Sequence, residues 1–215
     1  MKNKKVSALY MVLAVVFCVC LVASNIFVAK RTTWGFTGGL LVFPISYIIG
    51  DVTTEVYGYK AARRIIWMGF FMNFFVVVVG ALAAVLPGVP DDVSSAAIDT
   101  IFSLKGGMAV VVAFASMLSF VIGSIANAWV MHKMRERDGE RFFSLRAIAS
   151  TVVGESIDSV IFFPVAFSFA LLNDQMTVSA LIWMIFMPVC LKTLYEIIVL
   201  PITMRVVKTI KKIEG

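Results

Sequence analysis

Residues 6–29 read VSALYMVLAVVFCVCLVASNIFVA, a run without a single charged side chain. As a helix it reaches roughly 36 Å, more than the ~30 Å of hydrocarbon in a bilayer. Lys2, Lys4 and Lys5 precede it, so a secretory signal is the competing reading. The run outlasts the roughly 7–15 apolar residues of such a signal. It reads as an uncleaved first transmembrane helix, and the remaining sequence repeats the pattern.

The 215 residues are 60% hydrophobic and 15% charged, with a mean hydropathy of +0.96. A soluble domain carries about 45–50% apolar residues and ~25% charge. Hydropathy places spans near 6–29, 38–57, 64–86, 107–132, 146–172 and 178–206. The expected fold is an all-α integral membrane protein with six transmembrane helices, one domain over 1–215. The second span is interrupted by Pro44, Gly50 and its acids and preceded by Gly35, Gly38 and Gly39. That pattern predicts a broken or partly re-entrant segment lining a cavity.

Charge sets the orientation. The net charge of +6 would suit nucleic acid, but the basic residues sit at span ends, so nucleic acid is set aside as a partner. With a cytoplasmic N-terminus, fifteen Lys and Arg fall inside, against Lys30, Arg31 and Lys105 outside. Both termini are therefore expected in the cytoplasm, and Arg63 and Arg64 at that edge are expected to set topology and bind lipid phosphate. The outer loop 87–106 holds Asp91, Asp92, Asp99, Pro87 and Pro90 and reads as a connector with one interfacial turn.

A faint internal repeat divides the chain into halves of about 6–86 and 107–206. Ser24-Asn25-Ile26-Phe27-Val28 closes span one, and Ala126-Asn127-Ala128-Trp129-Val130 closes span four. Gly50-Asp51 follows the first asparagine, and Gly154-Glu155 follows the second at a similar distance. Three spans per half would orient the halves oppositely, an inverted repeat with its substrate site near the midplane.

The chemistry lies in charges within the spans: Asp51, Glu55, Glu155, Asp158, Lys192 and Glu196. A charge at the bilayer centre costs from ~2.5 to more than ~10 kcal/mol, so such groups face one another or a wet cavity. Helical spacing aims Asp51 with Glu55 and Glu155 with Asp158, and lets Lys192 neutralise Glu196 along one face. Four further carboxylates then have no base in the spans. Their surplus charge calls for a cation, bound protons or a ligand rich in hydrogen-bond donors. They are expected to converge on one polar cavity, although buried ion pairs that merely lock helices are the bland alternative.

Asn25, Asn73 and Asn127, with Ser124, Ser156, Ser159 and Thr53, supply donors and acceptors, for a ligand or for interhelical bonds alike. Phe43, Tyr47, Phe162 and Phe163 flank the acids and could stack on a planar ring. Trp34, Trp67 and Trp183 read as interface anchors. His132 reads as a solvated or headgroup-level residue rather than a proton relay. Cys18, Cys20 and Cys190 lack metal or disulfide spacing, and neither a metal nor a cofactor is expected. No phosphate loop, H-E-x-x-H, G-x-S-x-G or Gly-x-Gly-Asp motif is present, so ATP hydrolysis by a phosphate loop and catalysis are not expected.

The segment Phe43-Pro44-Ile45-Ser46-Tyr47-Ile48-Ile49-Gly50-Asp51-Val52-Thr53-Thr54-Glu55-Val56-Tyr57-Gly58, followed by Ala61-Ala62-Arg63-Arg64, resembles the signature of the queuosine precursor transporter family. So do Asn127-Ala128-Trp129 and Gly154-Glu155-Ser156-Ile157-Asp158-Ser159. The resemblance, of the vitamin uptake transporter type, covers nearly the whole chain. It implies a carrier of 7-deazaguanine bases in a bacterial or archaeal cytoplasmic membrane. A guanine-like ring presents N1–H and an exocyclic amine, a donor pair that one carboxylate accepts. On that reading Glu155 and Asp158 bind the base edge, Asp51 and Glu55 lie opposite, and Asn25 and Asn127 orient the ring. Proton coupling and facilitated diffusion both suit this reading, as do one copy or a homo-oligomer. The alternatives are a substrate-capture subunit of an ATP-driven vitamin importer, a carrier of another planar polar metabolite, a non-transporting bundle and an intramembrane enzyme.

Overall fold

The computed structural model describes residues 7–27, 29–30, 38–103, 107–139, 141–172 and 177–214. Lys2, Lys4, Lys5, Arg31, Trp34, Gly35 and Lys105 lie outside the described residues. The helices are α1 (Ala8–Phe27), α2 (Phe43–Tyr57), α3 (Tyr59–Ala83), α4 (Val93–Phe102), α5 (Gly107–Asp138), α6 (Phe143–Ala166), α7 (Ser168–Leu172) and α8 (Val178–Glu214). A 3-10 turn, Gly38–Leu41, leads into α2. Six segments are long and apolar enough to cross a membrane, and no strand occurs among the described residues.

The six expected spans are all present, with their ends moved for local reasons. Span two is broken only at its start, where the 3-10 turn gives way to a helix with proline in its first turn. There the missing N–H of Pro44 costs nothing. Gly58, at φ 83 and ψ 166, takes a conformation open essentially to glycine alone. It turns the chain directly from α2 into α3, which therefore begins five residues ahead of the expected position 64. The fifth span contains Pro164 and divides three residues beyond it, at Phe167, into α6 and α7. Helices α5 and α8 outrun their apolar stretches into charged ends.

The connector between the third and fourth spans, expected to hold one interfacial turn, holds more. It forms the ten-residue α4, capped by Asp92, whose carboxylate accepts from the Ser95 amide at 2.8 Å. Asx capping of this kind satisfies a donor that the helix ladder leaves open.

Helix α2 is the hub, packed against α1, α3, α5, α6 and α8. Its apolar neighbours include Phe17 and Leu21 of α1, Ile65 and Ile66 of α3, and Phe120 of α5. Phe71, Phe75, Leu82, Phe114, Ile198 and Ile202 point outward and stay exposed, which suits a multi-pass membrane protein whose solvent is lipid. Trp67 and Trp183 are also exposed. Both described ends of the chain share one end of the bundle: the Ser7 hydroxyl bonds Glu214, and Tyr57 Oη donates to Glu214 Oε1 at 3.0 Å.

Helices α5 and α6 form an antiparallel pair in close contact. A Cβ at Gly123 would lie 2.8 Å from the Gly154 carbonyl oxygen, and one at Gly154 2.8 Å from Asn127 Cβ. Small residues at a crossing let backbones approach where no hydrophobic effect drives helices together. The same contact sets Asn127 against Gly154 and Gly123 against Asp158.

Candidate functional site

Among the described residues, helices α2, α5, α6 and α8 carry the charged groups inside the bundle, which fall into three levels along it. Nearest the shared end for Ser7 and Glu214 is Glu55, buried on α2. Arg146 of α6, completely buried, donates from Nη2 to Glu55 Oε2 at 2.7 Å. Lys211 of α8 lies 2.8 Å from Oε1, and Arg135 of α5 is 3.8 Å from the same oxygen. Arg135 also donates to the Glu55 carbonyl at 2.5 Å, while Arg146 Nη1 donates to the carbonyls of Gly139 and Arg141. Glu55 is thus tied by three bases from three helices.

In the next level Asp51 of α2 is fully buried, and its Oδ1 accepts from Asn127 Nδ2 of α5 at 2.8 Å. Glu196 of α8 faces it within hydrogen-bonding reach. Asp51 Oδ2, Glu196 Oε2, Asn127 Oδ1 and Thr151 Oγ1 have no completed hydrogen bond. Beside this level lies a void of about 10 Å³, lined by Tyr47, Gly50, Ser124 and Asn127 among others. It has room for about one water.

The third level joins α6 to α8 and the start of α2. Lys192 Nζ lies 2.5 Å from Glu155 Oε2 and 3.9 Å from Asp158 Oδ2. The same nitrogen stands 3.9 Å from the centre of the Phe43 ring, inside cation–π range. Phe43 in turn packs against Tyr47, with centroids 5.5 Å apart. The buried Tyr47 hydroxyl sits beside Ser124 and Glu155 without completing a bond to either.

A family model described as "Putative vitamin uptake transporter" matches residues 37–206. The chain belongs to the vitamin uptake transporter family. A protein of Bacillus subtilis (strain 168) described as "Probable queuosine precursor transporter" is 29% identical over 150 residues. That similarity covers 68% of this chain and 64% of the relative's length, under two thirds. No solved structure matches.

For this member of the vitamin uptake transporter family, the expected acids do not share one cavity. Asp51 and Asn127 meet, as do Glu155 and Asp158, with Phe43 and Tyr47 beside the latter pair. Glu55 stands apart among its bases. Asn25 bonds Asn73 of α3 at 3.0 Å, and Phe162 packs on Phe163, so neither contacts the carboxylates through these bonds. The pairing of Lys192 with Glu196 is not formed. Lys192 crosses to α6, where two carboxylates and an aromatic face offer more than one i+4 partner, and Glu196 turns to Asp51.

The expected want of further bases is likewise corrected by Arg146, Arg135 and Lys211. In the sequence all three fall at span ends, among the charges that set topology. The available signal was Glu55 itself, near the end of α2, where long basic side chains from neighbouring helix ends can reach it. His132 stacks on Tyr59 with ring centroids 5.6 Å apart and lies near Glu136, partly exposed, but within α5, which runs on to Asp138.

Proposed function

We propose that this chain is a secondary carrier importing a queuosine precursor, a 7-deazaguanine-type base, across a bacterial or archaeal cytoplasmic membrane. The observation that carries the reading is a cluster of buried polar atoms that complete no hydrogen bond, on Tyr47 and Asn127, beside the facing carboxyl groups of Asp51 and Glu196, which need a proton or a donor between them, within one apolar bundle. Leaving such a group unsatisfied costs about 1–3 kcal/mol, and a donor-rich planar solute passing through would relieve several of them. Family membership and the name of the Bacillus subtilis relative support the substrate class.

In this mechanism Glu155 and Asp158 accept from the base edge, and Phe43 and Tyr47 offer faces for stacking. Asp51, Asn127 and Glu196 form the deeper stage of the path. One proton shared by the facing carboxyl groups of Asp51 and Glu196 would join them by a hydrogen bond, so release of that proton can be coupled to substrate movement. Glu55 with Arg146, Lys211 and Arg135 closes the end of the bundle that the positive-inside rule assigns to the cytoplasm. Two inverted three-helix halves rocking about α2 would open the ends alternately.

The test is uptake of labelled 7-deazaguanine bases by liposomes containing the purified protein alone. The expected result is saturable uptake that Asp51→Asn reduces by about tenfold or more while the thermal midpoint changes little. Absence of uptake of any planar purine-like base would overturn the reading, and uptake only with a nucleotide-hydrolysing partner would favour the capture-subunit alternative.

A further inference from the structure

We propose that Glu155, Asp158 and Phe43 form a primary-ammonium site, filled in this structure by the chain's own Lys192, and that Lys192 thereby sets selectivity between cationic and neutral bases. The second part rests on the carrier reading above; the first does not.

The geometry at Lys192 is that of a bound amine. Its nitrogen has one carboxylate oxygen at 2.5 Å, a second at 3.9 Å and an aromatic face at 3.9 Å. Carboxylates together with an aromatic face recognise ammonium groups by charge and by the ring quadrupole. The tether is a flexible four-carbon stem rather than a rigid fork, so the head group can leave without movement of α8.

Access and a spare acceptor distinguish this level from a helix tie. Lys192 and Asp158 each retain 15% of their side-chain exposure, whereas Glu155 keeps 1%. A ligand can approach from the Lys192 side with Glu155 as the floor. The Tyr47 hydroxyl, buried and without a completed bond, sits near Glu155 and Ser124 and is a polar group that Lys192 leaves unused. Asn127 and Ser124 line the adjoining void.

Charge then dictates selectivity. With Lys192 in place the two carboxylates and one ammonium leave a single formal negative charge. A neutral planar base can donate to Asp158 and share Glu155 with Lys192. A base carrying a primary aminomethyl group must instead displace Lys192 and turn that group, rather than its N1–H edge, toward Glu155 and Asp158, because two ammonium groups cannot occupy one aromatic face. Specificity of this kind is exclusion of a competitor by a built-in repulsive element.

The experiment uses the full-length protein in detergent at constant ionic strength. Propylammonium chloride, with propanol as the uncharged control, is titrated against wild type, Lys192→Met and the double variant Glu155→Gln/Lys192→Met while thermal unfolding is followed. The expected result is saturable stabilisation of K192M by propylammonium alone, with wild type and the double variant unmoved. If K192M folds only in the presence of propylammonium, that dependence is the same result in stronger form.

A second arm measures binding of 7-aminomethyl- and 7-cyano-7-deazaguanine. The affinity ratio of cationic to neutral base should rise about tenfold from wild type to K192M, the scale of a desolvated cation contact. K192M that ignores propylammonium, or that fails to fold with or without it, overturns the ammonium site. Affinities for the two bases that change in equal proportion overturn the selectivity role. Wild type that binds neither base, beside K192M that still responds to propylammonium, sinks the carrier's substrate and leaves the ammonium site standing.

Discussion

Arg146 shows how a single side chain can mislead by its position. It lies three residues into α6, where a basic residue normally reaches the headgroups, yet it is completely buried against Glu55. Removing one member of a buried pair leaves the other charge uncompensated, at a cost of about 3–5 kcal/mol. Here Lys211 and Arg135 remain beside Glu55, which softens the loss. Arg146→Met is therefore expected to destabilise the protein by about 3 kcal/mol, read as a lower thermal midpoint. A midpoint unchanged from wild type would show that the other two bases suffice. Asn127 is the quieter case: Asn127→Leu removes the donor to Asp51 and should cost about 1–3 kcal/mol in the same assay.

Among the elements, the pair α5–α6 is decided by two glycines. A Cβ at Gly154 would stand 2.8 Å from Asn127 Cβ and 3.0 Å from the Gly123 carbonyl, and neither backbone can yield without parting the helices. Gly154→Val is expected to cost about 1–3 kcal/mol through overpacking and to shift Asn127 from Asp51. The measurement is the thermal midpoint together with cross-linking of cysteines placed along α5 and α6. A native cross-linking pattern would refute the tight crossing.

Helix α4 tests electrostatics outside the six membrane-crossing helices. Bonds from the Ser95 hydroxyl and amide hold the Asp92 carboxyl below its ordinary value. A depressed folded-state pKa means that the cap stabilises α4 above the ordinary carboxylate range. That stabilisation is lost as pH falls through the folded value. Amide exchange over residues 95–97, corrected for its intrinsic pH dependence, should therefore show protection at pH 7 that disappears in strong acid. Asp92→Ala should abolish the protection at pH 7 and leave exchange in strong acid unchanged.

At the scale of the whole molecule, the shared end that holds Ser7, Tyr57 and Glu214 makes a sharp topological prediction. Cysteines introduced at Ser7 and Thr209 should both react with an impermeant thiol reagent only from the cytoplasmic side. One at Ser94 should react only from outside. Labelling of Ser7 and Ser94 positions from one face would overturn the orientation.

The six membrane-crossing helices were legible in the residues because lipid imposes a local rule. A segment must satisfy its own backbone and present apolar side chains over a fixed length. That rule acts on consecutive residues, so the run 6–29 and its five successors could be read without knowing their neighbours. The candidate site was legible by residue type, since a carboxylate inside such a run is costly wherever it points. Partner choice was not. Lys192 lies one turn from Glu196 yet bonds Glu155, thirty-seven residues away, and Glu55 draws its bases from three other helices. Such pairs depend on crossing points and depths, set by contacts such as Gly123 with Gly154, and no periodicity within one helix encodes them. Sequence determined what must be buried; only the packing of α2, α5, α6 and α8 decided which charge would answer which.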